Sequence, residues 1–454
     1  MTKNADYTQE YLDIINALDG DIPSRRATQS YMRNSTAIVH HEVVKSSFVP
    51  RLYNEKTYKT MEAVSEKAHA ILEKVMQRYL DDSEYRSVFN LDPRLVDLIL
   101  LPRGYDALLP FARVDIFLNE DDYSAKFCEF NADGSSGMNE DREIVNSIVR
   151  SQAFAEFSKT NQLKPSELFT SWVEEFLSIY KSYAHAVENP QVAICDFLEN
   201  AVVAEFEIFC KIFADYGVEC AICDVRDLRF DGEQLCNKSG GRIDAIWRRS
   251  VTNDIIDHWE ESQNLIEAVR AEKVALIGSF AGHLVHDKQI FQVLFMEQTR
   301  AFLTDDEIKF IEDTIPYTCF LDTSEIDLQQ VKDTKDRWII KPTDHYGADH
   351  VYAGRAKTNQ EWTELIDRFA NSKAGFPFIV QEYCIPFQTK TLVPDIGIEE
   401  KSDLEVSTEP LLYNNLSGLY LYNGRFMGVF SRLGPCPTIS KDMQGITSAT
   451  IWVD

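Results

Sequence analysis

Residues 112–118 read ARVDIFL, residues 119–124 NEDDYS, and residues 125–131 AKFCEFN. The outer segments are rich in apolar, β-branched and aromatic residues and the middle one is polar and turn-like, the pattern of two strands joined by a turn. In a strand, residues i and i+2 point to the same face. Arg113 and Asp115 therefore share one face, and so do Glu129 and Asn131 of the second strand. If the strands pair, Asp115, Glu129 and Asn131 converge as three oxygen donors. That set suits Mg²⁺, which takes a few carboxylate or amide oxygens together with water and substrate phosphates. Arg113 beside them would neutralise phosphoryl charge. The same pattern also describes an exposed hairpin with alternating polar residues.

The chain around this hairpin has 454 residues, 44% hydrophobic and 26% charged, a composition that builds packed cores rather than a disordered chain. Its length suggests roughly three domains at about 150 residues each. With 46 Lys+Arg against 73 Asp+Glu the formal net charge is −27. Nucleic acid and anionic membrane surfaces both require a basic footprint, so neither is expected as a partner. A cationic substrate such as a polyamine is compatible with the charge. No run of about 18 apolar residues is present to cross a membrane. The start MTKNADYTQEYLDII lacks the basic and apolar regions of a secretory leader. Nine scattered Cys fit a reducing compartment, and the expected location is cytoplasmic. Cys220 and Cys223 form a lone CxxC in VECAICDV. With no second pair at zinc spacing, they read as small residues of a buried strand.

The first hundred residues read mainly as helices, and the stretch 58–80 carries apolar residues at helical spacing. Residues 85–115 read as loops feeding a strand, and 154–187 as helical again. From about 190 to 300 the strands QVAICDF, VECAICDV, RIDAIWRR and VALIGSF alternate with helical stretches, the last after a long helix. This predicts a small parallel α/β domain. Four further strands, RWIIKP, FPFIVQEY, SGLYLYNG and RFMGVFSR, are expected in the last third. The acidic run 399–409 reads as a solvated loop. Lys341, ending RWIIKP, is placed to reach a phosphate or to extend into solvent. Gln381-Glu382-Tyr383 end an apolar strand, as an adenine-binding hinge requires and as many strand ends do.

Together these elements resemble ATP-grasp ligases. ARVD…EFN is similar to the metal-binding end of that fold, IIKP to its phosphate lysine and VQEY to its adenine hinge. Here the metal-binding pair precedes the lysine and hinge by about two hundred positions. That order resembles the circularly permuted ATP-grasp group typified by glutathionylspermidine synthase, in its synthetase domain. Glu129-Phe130-Asn131-Ala132-Asp133 is similar to the group's glutamate–aromatic–Asn–Ala–Asp string, with Glu140 near its trailing acid. Asp196–Asn200 resembles the opening of its pre-ATP-grasp region, Ile243–Arg249 a strand ending in paired arginines, Asp287–Ile290 a second ATP lysine before a helix, and Gly424–Arg432 a late strand with a phosphate-facing arginine. The likeness runs from about residue 85 to the end.

Two stretches depart from the group. Its Gly-Arg-Glu-Gly phosphate loop is replaced by Thr343-Asp344-His345-Tyr346-Gly347-Ala348-Asp349-His350, in which only Gly347-Ala348 corresponds. Its Thr-Pro-Thr after the Asn–Ala–Asp string is replaced by Gly134-Ser135-Ser136-Gly137.

The resemblance implies an α/β fold of mixed α+β character: a circularly permuted ATP-grasp with an inserted parallel pre-ATP-grasp domain. The expected divisions are 1–187 (helical region plus metal-binding half of the core), 188–300 (pre-ATP-grasp domain) and 301–454 (nucleotide-binding lid and the rest of the core). The implied function is ATP-dependent joining of a carboxylate to an amine through an acyl phosphate. ATP and Mg²⁺ are the implied cofactors, and a small-molecule or peptide carboxylate and an amine, such as a polyamine or amino acid, the implied partners. Asp115, Glu129 and Asn131 are the implied metal ligands. Lys288 and Lys341 would hold phosphates, Arg113 and Arg432 the transferring phosphoryl group, and Gln381, Glu382 and Tyr383 the base and ribose. Asp133, Ser135, Ser136, Arg248 and Arg249 are the expected substrate contacts. Gly134–Gly137 offers backbone N–H groups for an acyl phosphate, or is a tight turn. Arg248 and Arg249 read as a carboxylate clamp at a parallel strand end, or as a surface ion pair. His345 and His350 read as metal or phosphate contacts, or as exposed loop residues. A phosphotransferase and a non-catalytic nucleotide-binding scaffold on the same fold are the alternatives.

Overall fold

The computed structural model describes residues 3–39, 42–199, 201–321, 325–344, 350–370, 377–395 and 397–454. Strands Phe111–Leu118 and Ala125–Asn131 pair antiparallel, with Arg113 opposite Asn131 and Asp115 opposite Glu129. The other edge of 111–118 is taken by Leu411–Tyr422, some three hundred positions later. Arg425–Gly434 and then Ile446–Ser448 continue this antiparallel sheet, and Gln388–Thr391 pairs with the start of 411–422. A hairpin and a set of carboxyl-terminal strands thus complete one sheet.

The alternation of 111–118 divides its side chains. Val114, Ile116 and Leu118 are buried with Phe127, Phe130, Leu419 and Val429 under the long helix Glu55–Asp81, which contributes Met61, Ala68, Leu72, Val75 and Met76 at helical spacing. Side chains of this size each contribute roughly 1.5–3 kcal/mol on burial. Asn54 starts that helix by accepting a hydrogen bond from the Thr57 N–H. On the opposite face Phe111 stacks on Tyr422 among Trp172, Trp247 and Tyr420. Arg113 and Asp115 lie beyond this aromatic cluster on the same face.

The second sheet has the order Ala275–Ile277, Ala245–Arg248, Gln191–Asp196, Glu219–Asp224, all parallel. The expected long helix before its last strand is two short ones, Thr252–Asp257 and Gln263–Arg270. Between them the chain turns, with Ser262 N–H donating to the His258 carbonyl at 3.0 Å and Glu261 holding the His258 ring at 2.6 Å. Cys223 is buried on its strand, and Cys220 is half-buried with Sγ 3.2 Å from Cys210 Sγ.

The third sheet, Thr318–Phe320, Phe378–Glu382, Trp338–Pro342 and Tyr352–Ala353, is antiparallel and backed by helix Asn359–Ala370 through Trp362 and Ile366. A fourth, small sheet joins Arg51–Asn54, Thr450–Val453 and Leu163–Pro165.

Two further expectations change. The stretch 154–187 is not continuously helical: strand Leu163–Pro165 separates helices Gln152–Phe157 and Thr170–Lys181, because residues 450–453 offer it a pairing edge. The acidic run is not merely solvated. Arg33 pairs with Glu399, Arg26 with Asp403 at 2.8 Å, and Arg25 donates to the Ser407 carbonyl at 2.9 Å, so helix Ile22–Arg33 holds it. No described helix is long and apolar enough to cross a membrane.

Candidate functional site

Because Arg113 and Asp115 share a face, the Arg113 Nε donates to Asp115 Oδ1 at 2.9 Å. Arg432, two strands away, reaches the other oxygen of Asp115. Asp115 is fully buried, with two guanidinium groups for counter-charge. Burial opposes the charge on Arg113, but Asp115, with Tyr420 and Glu129, more than offsets it and raises the Arg113 pKa. Across the strand pair, Glu129 binds Lys288 Nζ at 2.7 Å. Burial disfavours its charge too, yet Lys288 and Lys341 bring the Glu129 pKa down to about 2. Asn131, opposite Arg113, has a buried Nδ2 with no hydrogen-bond partner among the described residues.

Lys341 comes from the third sheet. Its Nζ donates to the Gln381 side-chain oxygen at 2.9 Å and to the Cys128 carbonyl at 3.1 Å, on the neighbouring strand of the main sheet. Four cationic side chains therefore gather at the hairpin, its own Arg113 and three from other segments. Two of them, Arg113 and Arg432, flank Asp115. Lys288 holds Glu129, and Lys341 sits against the backbone between Phe127 and Glu129. Glu140 lies in the same field: burial and the charge of Glu205 push it up to about 7, against Arg113 and Arg432.

The hinge residues divide. Gln381 holds Lys341 and donates to Thr318 Oγ1 at 2.9 Å. Its strand lies between two others, and the N–H groups of Glu382 and Tyr383 donate to the carbonyls of Tyr317 and Arg337 at 2.9 and 2.7 Å. The sheet thus already uses those two N–H groups. Glu382 faces Arg337 at 3.5 Å, and the Tyr383 hydroxyl donates to the Pro437 carbonyl at 3.0 Å.

The expected substrate contacts are internally bonded. Asp133 is buried, 2.5 Å from Arg248 and 2.7 Å from the Thr252 N–H that donates to it. Arg248 also donates to the carbonyls of Gly278, Ser250 and Ser279. Arg249 is buried against Phe206 and Trp247 and binds Glu205 at 3.0 Å. The alternative of a surface ion pair is therefore corrected: both arginines are interior, each matched to an interior carboxylate. Glu205 in turn accepts from the Asn139 N–H at 3.0 Å, at the start of helix Met138–Ile148. A carboxylate thus occupies the anion-favouring helix start. Ser135 Oγ donates to the Asn131 carbonyl at 2.7 Å, and the Ser136 carbonyl accepts from Arg113 at 2.7 Å and the Tyr420 hydroxyl at 2.9 Å. Gly134 is required where it stands: φ is +77°, and a Cβ there would lie 2.3 Å from the Arg249 carbonyl.

His345, Tyr346, Gly347, Ala348 and Asp349 lie outside the described residues, as does Asn200. His350 contacts the Tyr352 hydroxyl at 3.2 Å.

Sequence reasoning missed Gly418, Glu205, His283 and Asp344. Gly418 lies directly opposite Asp115, and no Cβ fits beneath the Arg113 and Asp115 side chains. A glycine inside an apolar strand is the available sign of such close approach. His283 is fully buried between Asp133, at 3.4 Å, and Asp344, at 3.3 Å. Burial would keep it neutral, but the two carboxylates raise it to about 10. A pocket of about 610 Å³ lies elsewhere, between helices 22–33 and 138–148, and includes Tyr31, Glu143 and Arg150 but no candidate residue.

No protein-family model and no curated protein matches this sequence. Solved structures do. A glutathione synthetase-like effector from Globodera pallida, in its apo form, superposes with a TM-score of 0.61 over 94% of this chain and 96% of its own, at 11% identity. A putative gamma-glutamylcysteine synthetase from Methylobacillus flagellatus aligns over 88% of this chain and 89% of its own, with a TM-score of 0.43 and 12% identity. At 11% identity the first likeness is one of fold: this mixed α/β chain has the fold of a glutathione synthetase-like protein.

Proposed function

We propose that this chain is an ATP-dependent carbon–nitrogen ligase of the circularly permuted ATP-grasp type, joining a carboxylate to an amine through an acyl phosphate. The observation that carries the reading is the meeting of Asp115, Glu129 and Asn131 on paired strands with Arg113, Arg432, Lys288 and Lys341 around them. Four cations against two carboxylates suit a polyphosphate that brings its own metal.

The donors fit Mg²⁺: two carboxylates and an amide oxygen, while the unpartnered Asn131 Nδ2 is a donor left for a phosphate oxygen. Asp115, Glu129 and Asn131 would hold the ion, whose chemistry is to neutralise and align phosphate oxygens. Lys288 and Lys341 would bind phosphates, Lys288 leaving Glu129 to do so. Arg113 and Arg432 would face the transferring phosphoryl group. Phosphoryl transfer needs positioning and charge stabilisation more than covalent help, and these residues supply both. Gln381 would position Lys341, while Glu382 and Tyr383 border the nucleotide through side chains and carbonyls. Asp133, Arg248 and Arg249 would shape the acceptor side from within, and Ser135 and Ser136 would line it. In this reading residues 188–300 are the pre-ATP-grasp domain, inserted between the core halves 1–187 and 301–454. The carboxylate is a small molecule or peptide, and the amine a polyamine or amino acid.

The test is ADP release from Mg²⁺-ATP across a panel of carboxylates and amines, with Asp115→Asn as control. Release that needs both substrates and vanishes in the control supports the ligase. Release without an amine supports a phosphotransferase instead, and binding without turnover across the panel a scaffold.

A further inference from the structure

Apart from the residues assigned to nucleotide and Mg²⁺, His283, Asp287 and Asp344 place one ligand atom each within 4.8 Å of one another. His283 is fully buried, Asp287 nearly so and Asp344 half-buried. They come from helix His283–His286, the residue that follows it, and the chain just beyond strand Trp338–Pro342. The Lys288 N–H donates to the Thr343 carbonyl at 2.8 Å, so the backbone fixes these segments side by side.

The two nitrogens of His283 have separate surroundings. Nδ1 lies 3.4 Å from Asp133 Oδ2, and Nε2 lies 3.3 Å from Asp344 Oδ2. Asp133 is itself held by Arg248 and by the Thr252 N–H. A metal-binding imidazole is usually oriented in this way, one nitrogen hydrogen-bonded to a fixed carboxylate and the other directed at the ion. Ligand atoms about 2.0–2.1 Å from a tetrahedral ion stand roughly 3.3 Å from each other. The Nε2–Oδ2 separation of 3.3 Å is that edge length.

A second observation comes from His286. It is three residues along the same short helix, its ring centroid 6.1 Å from that of His283. It is 6% exposed, and its Nδ1 has no hydrogen-bond partner among the described residues. A buried polar atom left without a partner is unfavourable, and a ligand or ordered water beside it would relieve that.

We propose that His283 Nε2, Asp287 and Asp344 form a binding site for one first-row transition-metal dication of the Zn²⁺ or Mn²⁺ class, with His286 lining it. The imidazole separates this site from the all-oxygen set at Asp115, Glu129 and Asn131, which suits Mg²⁺. Three protein donors leave at least one coordination position open to water or substrate. The ion would take the place of the proton on Nε2, an atom with no hydrogen-bond partner among the described residues. It would tie the end of strand 338–342 to the backbone that carries Lys288.

The site is tested on the full-length, chelator-stripped protein without nucleotide, so an inactive ligase leaves the result interpretable. Co²⁺ is titrated in while its visible absorption is recorded, and Zn²⁺ is then added to displace it. The expected result is one equivalent of Co²⁺ with the absorption of a low-coordinate nitrogen–oxygen site, bleached by Zn²⁺. His283→Gln and Asp344→Asn should each weaken binding at least tenfold, while Asp254→Asn, outside the donor set, should not. Asp344 is half-buried, so its variant serves if the His283 variant fails to fold. No saturable Co²⁺ binding, or equal binding in Asp344→Asn and the wild type, overturns the proposal.

Discussion

Gly418 lies across the strand pair from Asp115, and a Cβ built on it would fall 2.8 Å from Asp115 Oδ1 and 2.8 Å from Arg113 Cδ. The missing side chain is what lets the Arg113–Asp115 pair fold flat over the neighbouring strand. Gly418→Ala should therefore displace both groups. Overpacking of this kind costs about 1–3 kcal/mol, and activity should fall further than stability because the pair faces the candidate phosphoryl site. ADP release and a denaturant melt on the same variant test this. Wild-type turnover would show that the close approach has no functional role.

Asp115→Asn removes the common partner of Arg113 and Arg432. Losing the carboxylate that would hold Mg²⁺ and that orients both arginines should lower turnover by about 10²–10³-fold. The structure adds a stability cost that the residue's position in the sequence does not reveal. Breaking a buried pair costs about 3–5 kcal/mol when the remaining charge stays buried. Arg432 is partly exposed, so the cost should lie at the lower end. A variant with unchanged urea midpoint would show that the two arginines find other partners.

Nucleotide binding should depend on Lys341 and Lys288 together with Mg²⁺. At about a hundred times its Kd, a ligand stabilises the native state by about 2.7 kcal/mol, a shift of a few degrees in melting temperature for a chain of this size. Mg²⁺-ATP should give that shift, and chelation with EDTA should reduce it. Lys341→Met should remove most of it while leaving the ligand-free fold in place. A full shift in Lys341→Met would move the phosphate site elsewhere.

Burial pushes the Asp141 carboxyl up to about 8, with the charge of Glu140 adding and the Thr450 N–H opposing. The folded pKa then lies above the unfolded value of 3.8. Asp141 therefore contributes stability that is fully present below pH 3.8 and is lost as pH rises through about 8. Between these limits one proton corresponds to about 1.4 kcal/mol per pH unit. Asp141→Asn keeps an acceptor for the Thr450 N–H and cannot ionise. Its stability should fall less steeply from pH 5 to 8 than that of the wild type. Parallel stability–pH curves from urea melts would mean that Asp141 is already charged in the fold.

The hairpin at 111–131 was legible because a strand has period two: Arg113 with Asp115 and Glu129 with Asn131 had to share faces once the strands paired. The parallel strands from 191 to 277 were legible as short apolar runs, although Ala245–Arg248 follows a small hairpin of Arg229–Phe230 and Leu235–Cys236 rather than a helix. The break in the helix after Arg249 was not, because the hydrogen bonds that turn the chain at His258–Ser262 look like ordinary polar residues in sequence. Nor was the order of Asp133, Arg248 and His283, three groups from three distant segments.

The sequence by itself determined which residues could carry the chemistry, since residue type and local spacing set what each face of a strand or helix can present. Only the tertiary structure decided how they are matched. The pairing of 111–118 with 411–422 puts Gly418 under Asp115, and the third sheet brings Lys341 onto Cys128. The parallel sheet buries Arg248 and Arg249 with Asp133 and Glu205 rather than leaving them at the surface. The physical reason is that a charge can be buried only where an opposite charge arrives with it. Which one arrives depends on strand pairings hundreds of residues apart, and no local pattern encodes them.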